Sequence, residues 1–384
     1  MSEYQPPVLG ITLGDVNGVG PELALKTLSE PDLLNHFTPV LYGPAKALQF
    51  YRNLLEYTKF HFGTISSAAK VHPGKINVVD SAPDFETIEP GVPSIDTGLI
   101  AFRALERAVQ DLKGGYIQAL VTLPIDKSTV QNPEFTHPGH TEYLAQKFDA
   151  KEPLMLMVHE ELRVAVATGH IPLKDVANAL NPDKLYRKLA LFYDTLRFDF
   201  GIERPRLAVL GLNPHAGDNG LIGREDIEIV KRAVDRMANE RKHVYGPYSA
   251  DSFFIRQYKQ FDGVLAMYHD QGLIPFKSLS QGDGVNFTGG LRAVRTSPDH
   301  GTAYDIAGQG KADETSFRNA IYLALDTLKH RNLSTELREE ALRNSPVSSF
   351  YLGFESPIVP GTSEQPAPPA PPAAPASPAA PTNG

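Results

Sequence analysis

Residues 206–217 read RLAVLGLNPHAG, an apolar, β-branched run that ends in a turn of Asn, Pro and Gly with His215 inside it. The same grammar occurs twice more: RVAVATGH, residues 163–170, runs into His170, and GVLAMYHDQG, residues 263–272, runs into His269. A short apolar run without alternation, closed by turn residues, is the pattern of a strand buried on both faces. Further runs at 7–13, 39–42, 75–79 and 118–122 read the same way. Amphipathic helical patterns separate them at 21–28, 97–112, 141–148, 184–196, 224–239 and 313–330. Strands alternating with helices need crossover connections, which predicts an α/β fold with a mainly parallel, doubly wound sheet. In such sheets ligands bind outside the carboxyl ends of the strands. All three histidines stand there, beside Gly and Pro residues that allow tight turns into one cleft.

The chain's 384 residues are enough for two domains of ordinary size, and 41% hydrophobic residues suffice for their cores. A net charge of -8 argues against a general nucleic-acid binder. With no Cys, thiolate metal sites, disulfides and a cysteine nucleophile are excluded. The first residues, MSEYQPPVLGITLGD, lack a basic region followed by an apolar core, and no apolar run approaches a membrane span. A cytoplasmic protein without membrane or nucleic-acid partners is expected. Residues 356–384, SPIVPGTSEQPAPPAPPAAPASPAAPTNG, read as a disordered or polyproline-like tail, since Pro, Ala and Ser supply almost nothing to pack.

Neutral imidazoles suit a divalent ion of the zinc, cobalt or nickel type, and three of them leave a coordination position open for a substrate oxygen. Their long spacing matches no short zinc motif, so the residues alone fit metal ligands or metal-free catalytic histidines equally. Asp270, next to His269, is a candidate orienter or base, and Asp251 a candidate base or helix cap. Lys277, Asn286, Arg292 and Arg295 fall in a turn-rich, cationic stretch able to hold carboxylate or phosphate. His140 and Thr141 open a predicted helix, where free N–H groups favour an anion. The turn GDVNGVGPE, residues 14–22, is not G-x-G-x-x-G and does not support a standard dinucleotide fingerprint.

The strings GDVNGVGPE, VTLPIDK (121–127), PGHTEYL (138–144), VATGHIPL (166–173), LNPHAGDNG (212–220), MYHDQGLIPFK (267–277), GVNFTGGL (284–291) and RTSPDHGTAYDIAGQGKAD (295–313) together resemble the 4-hydroxythreonine-4-phosphate dehydrogenase family. Residues 14–22 and 300–312 also resemble loops of the isocitrate and isopropylmalate dehydrogenases. The resemblance implies two α/β/α domains with a cleft between them, isocitrate/isopropylmalate dehydrogenase-like. One domain would comprise 1–135 with 287–350 and the other 136–286. It implies His170, His215 and His269 as ligands of a divalent metal (Zn2+, Mg2+ or Co2+), shared across a homodimer interface. His140, Thr141, Lys277, Asn286 and Arg295 become substrate-binding positions. His300, Gly301 and Asp305 become contacts to NAD or NADP. The activity implied is NAD(P)-dependent oxidation of a phosphorylated hydroxy amino acid in pyridoxal phosphate biosynthesis. Alternatives are a sibling acting on phosphorylated threonate or erythronate, a metal-dependent phosphate-ester hydrolase, and an acyl-phosphate transferase.

Overall fold

The computed structural model describes residues 6–344. The Pro/Ala-rich stretch 356–384, and residues 345–350 of the expected first domain, lie outside the described residues.

Twelve strands form one sheet: β1 Val8–Thr12, β2 Thr38–Gly43, β3 Gly63–Ile65, β4 Asn77–Asp80, β5 Ala119–Thr122, β6 Leu154–His159, β7 Leu162–Val166, β8 Leu207–Leu210, β9 Val244–Tyr248, β10 Gly263–Ala266, β11 Val285–Gly289 and β12 Val294–Pro298. Their order is β3-β4-β2-β1-β5-β12-β11-β6-β7-β10-β8-β9. The strands from β3 to β12 are mutually parallel, as are β7, β10, β8 and β9. Between the two blocks, β12–β11, β11–β6 and β6–β7 all pair antiparallel. Three reversals in a row make the two blocks run in opposite senses. All seven strand runs read from the sequence are present, each within a few residues of its expected bounds.

The helices are α1 Gly20–Leu28, α2 Ala45–Leu54, α3 Ile95–Lys113, α4 His140–Lys147, α5 Val176–Ala179, α6 Pro182–Phe198, α7 Arg232–Asn239, α8 Ala250–Arg256, α9 His269–Ser280 and α10 Thr315–Asn344. Local chemistry starts the longer ones: Ser94 accepts a hydrogen bond from Asp96 N before α3, and Asn181 accepts one from Lys184 N before α6, which opens on Pro182. Helices cover both faces of the sheet. On one face α1, α2 and α10 bury apolar residues such as Leu23, Leu48 and Phe317 against the first block, and α6 and α7 bury Phe192 and Met237 against the second. On the other face α3 and α4 cover the first block through Phe102 and Tyr143. There α8 and α9 cover the second through Phe253 and Phe276. Among the described residues no helix is long and apolar enough to cross a membrane.

Two readings of the sequence need correction. The cationic stretch is not one loop: Lys277 lies on α9, Asn286 on β11 and Arg295 on β12, while Arg292 falls in the turn between β11 and β12 as expected. Gly272 and Pro275 suggest a turn locally, but Leu273 and Phe276 are buried against β7 and β10, and that packing holds the segment helical. The helix expected over 224–239 is interrupted: residues 226–231 form a π-helical turn before α7.

Candidate active site

The neighbours β7, β10 and β8 are parallel, so their carboxyl ends lie side by side. His170, His269 and His215 leave those ends, as the strand pattern requires. The rings of His170 and His269 face each other with centroids 5.5 Å apart. Nδ1 of His269 lies 2.7 Å from Asp270 Oδ1, which fixes the ring and leaves Nε2 free to meet a ligand. Nδ1 of His170 lies 3.9 Å from Glu142 Oε1. The neighbouring His170 imidazole holds the Glu142 carboxyl below its usual range, against partial burial. Asp251 is fully exposed at the start of α8, its carboxyl lowered chiefly by the Ser249 hydroxyl and also by the charge of His215.

His215 sits in an unusual turn. Five residues in succession, His215 to Asn219, have φ between 42° and 79°, and four of them are not glycine. Each such L-residue costs about 1–2 kcal/mol, so the turn persists only because its surroundings impose it. The buried Asp226 carboxylate accepts from Leu212 N at 2.6 Å and Asn213 N at 3.0 Å, pinning the chain as it enters. Ala216 N, Leu221 N and Ile222 N then close hydrogen bonds onto Asn213, Asp218 and Gly217 carbonyls. Gly211 is required beneath the turn, since a Cβ there would stand 2.8 Å from Ala216 Cα. Within this single chain, no three His or acidic residues among those described come together as a metal-holding group. His170 and His269 are therefore paired, and His215 does not complete a three-ligand set with them.

On the sheet face that α3, α4, α8 and α9 cover, the central strands β5, β12 and β11 carry a patch of buried polar side chains. Arg295 stands in it, 3% exposed. Its Nε and Nη2 donate to Thr122 Oγ1 at 3.2 and 2.7 Å, and Nη1 donates to Thr288 Oγ1 at 3.2 Å. Burial lowers this guanidinium to about 10, with Glu142 opposing the shift. His140, first residue of α4, carries a buried Nε2 without a hydrogen-bond partner, and Asn286 a buried Oδ1 in the same state. Burial and the charges of Arg295 and Lys127 push the His140 imidazole well below its usual range, which keeps it neutral. Thr141 follows at the half-buried start of α4. Lys277 differs from the rest: it is half exposed, and its Nζ pairs with Asp299 Oδ1 at 3.0 Å. The result is a positive, partly unsatisfied cradle suited to an anion. Thr122, Thr288, Lys127 and Glu142 join it without having been singled out from the sequence. Lys127 and Glu142 lie inside VTLPIDK and PGHTEYL, and only their neighbours in space give them a role.

A third group surrounds the loop 300–312. His300 Nδ1 approaches Gly301 O at 3.0 Å, its Nε2 is buried without a partner, and Gly301 and Asp305 are exposed. The turn at 14–22 grips this loop. Val19 N donates to Thr302 O at 2.9 Å, and Glu22 accepts from Ala312 N at 2.8 Å and Gly310 N at 3.2 Å.

Residues 35–324 match the family model described as pyridoxal phosphate biosynthetic protein PdxA. A 4-hydroxythreonine-4-phosphate dehydrogenase from Bacteroides thetaiotaomicron is 45% identical over 345 residues, covering 89% of this chain and 93% of the relative. A D-threonate 4-phosphate dehydrogenase from Pectobacterium atrosepticum is 36% identical over 322 residues, covering 83% and 98%. The crystal structure of a 4-hydroxythreonine-4-phosphate dehydrogenase from Klebsiella pneumoniae matches with a TM-score of 0.75 at 37% identity, covering 85% of this chain and 99% of that one.

Proposed function

This chain belongs to the PdxA family of pyridoxal phosphate biosynthetic proteins, and from that membership we propose its substrate and mechanism. The enzyme is a dehydrogenase of the 4-hydroxythreonine-4-phosphate type. It oxidises 4-phosphooxy-L-threonine with NAD or NADP to 2-amino-3-oxo-4-phosphooxybutanoate. That β-keto acid loses CO2 to give 3-amino-1-hydroxyacetone phosphate. The observation that carries this reading is the buried Arg295 beside the unpartnered His140 Nε2 and Asn286 Oδ1, linked through Glu142 to the His170–His269 pair.

In this reading Arg295, His140, Thr141 and Asn286 bind the anionic ends of the substrate, and Lys277 joins them by exchanging Asp299 for the ligand. His300, Gly301 and Asp305 contact the nicotinamide dinucleotide, whose chemistry is to accept the hydride from C3. His170, His269 and His215 would hold a divalent ion, Zn2+, Mg2+ or Co2+, and the free Nε2 of the oriented His269 fits that role. Such an ion supplies Lewis acidity to an alcohol oxygen. Because one chain does not assemble all three histidines, the set is completed in a homodimer with the active site at the subunit interface. Asp270 orients His269, while Asp251, exposed beside His215, is free to pass the hydroxyl proton to solvent. The separate helix-covered cores on the two halves of the sheet favour a two-domain division, but α4, inside the expected 136–286, packs on the first block with α3, and Phe287, inside the expected 287–350, packs in the second.

A second reading, oxidation of 4-phospho-threonate or 4-phospho-erythronate, is favoured by the likeness to the D-threonate 4-phosphate dehydrogenase. The test is reduction of NAD and NADP on both substrate types, with metal-stripped and metal-restored protein. The first reading expects a higher kcat/KM on the amino acid and recovery only with metal. A preference for the threonate gives the second. Phosphate release with no reduced cofactor would overturn both in favour of a hydrolase.

A further inference from the structure

The cofactor loop at 300–312 and the substrate cradle lie on separate elements, yet one side chain touches the supports of both. Tyr304, in the middle of the loop, donates its hydroxyl to Asp15 Oδ2 at 2.8 Å. Asp15 is fully buried; Asn17 N donates to its Oδ1 at 2.9 Å and Thr97 Oγ1 to its Oδ2 at 3.1 Å. Asp15 is itself tied to the segment just beyond the end of β5, for its N–H donates to Pro124 O at 2.9 Å. The same segment carries Lys127, whose charge acts on His140 and Glu142 in the cradle. The loop backbone is crowded at the same point, for a Cβ on Gly91 would lie 2.8 Å from Tyr304 O.

We infer that Tyr304 is a positioning residue: its phenol, held by Asp15, which is anchored on Pro124, sets the cofactor loop at a fixed place relative to the substrate cradle. The inference rests on the reading of 300–312 as the dinucleotide site. Hydride transfer tolerates little misplacement of donor and acceptor, and the loop's other anchors, Val19 and Glu22, grip only its ends. The exposed Gly301, Asp305 and Gln309 are then free to meet the dinucleotide.

Tyr304→Phe removes one oxygen and little else, and Thr97→Val removes the other hydroxyl donating to the same Asp15 oxygen. For Tyr304→Phe we expect the KM and calorimetric Kd for the dinucleotide to rise about tenfold, as for loss of one charge-assisted hydrogen bond. The KM for the phosphorylated substrate should stay within about twofold, and Thr97→Val should leave the dinucleotide KM unchanged. An unchanged dinucleotide KM in Tyr304→Phe overturns the inference. So does a matching rise in both KM values, or an equal rise in Thr97→Val, since either marks general loosening of the Asp15 network. If the parent enzyme itself binds dinucleotide without protecting the 300–312 amides from hydrogen exchange, the cofactor-site reading fails first. Should Tyr304→Phe not fold, hydrogen exchange on the parent enzyme decides. Dinucleotide should protect 300–312 together with 124–127, and protection confined to 300–312 counts against the latch.

Discussion

Arg295 shows most directly how a single residue here trades stability for binding. Its guanidinium is buried and donates to two threonine hydroxyls rather than to a carboxylate. A buried cation loses several kcal/mol of hydration that hydroxyl partners only partly return. In the proposed reading an anionic ligand completes the compensation, which makes the deficit useful. Arg295→Met should therefore leave Tm equal or higher in scanning calorimetry, while the KM for the phosphorylated substrate rises about 10- to 100-fold. A large fall in Tm with an unmoved KM would show that the arginine is a structural strut instead. In the sequence this residue reads as part of a cationic turn. Its burial is set by Thr122, 173 residues away along the chain.

At the scale of elements, the left-handed turn carrying His215 shows what a strained connection needs. The strain is spread over His215 to Asn219, and it is opposed by hydrogen bonds converging on the buried carboxylate of Asp226. Removing that carboxylate orphans two backbone N–H groups. Asp226→Ala should lower unfolding free energy in urea by about 2–4 kcal/mol and weaken retention of a divalent ion as His215 moves. Asp226→Asn, which keeps one acceptor, should lose roughly half as much. A stable Asp226→Ala protein with full metal content would refute the proposed restraint. The turn residues Asn213, Pro214 and Gly217 were visible in the sequence, but not the handedness. Left-handed backbone for four non-glycine residues is a cost no local preference explains, and it is imposed by Asp226 from the start of a neighbouring π-helical turn. Helix α9 shows the reverse: local signals at Gly272 and Pro275 speak for a turn, and burial of Leu273 and Phe276 overrides them.

For the molecule as a whole, the second block of the sheet carries an uneven surface. Ile171, Leu173, Leu221, Ile255 and Ile274 are 40%, 70%, 82%, 73% and 65% exposed. All lie on segments that leave the carboxyl ends of β7, β8, β9 and β10, the ends that bear the histidines. A second copy that completes the site, as proposed above, would cover these exposed aliphatic residues. Ile255→Glu with Ile274→Glu should shift the mass measured by light scattering from dimer to monomer, with metal content and activity falling together. A double variant that remains dimeric and fully active would move the interface elsewhere.

The amino-acid sequence by itself determined the α/β alternation and the position of each histidine one turn past a buried strand. Both follow from short-range causes, the spacing of apolar residues and the turn-forming habits of Gly, Pro and Asn. Its motif strings also named the family and most of the cradle. Only the tertiary structure decided that β7, β10 and β8 stand together, and that β11 and β6 reverse the sheet between its two blocks. The same holds for the buried Arg295, for the unsatisfied atoms of His140 and Asn286, and for the contact between Asp15 and Tyr304 across 289 residues of chain. Strand order, burial and hydrogen-bond satisfaction are set by which distant segments pack together, and no local pattern records that.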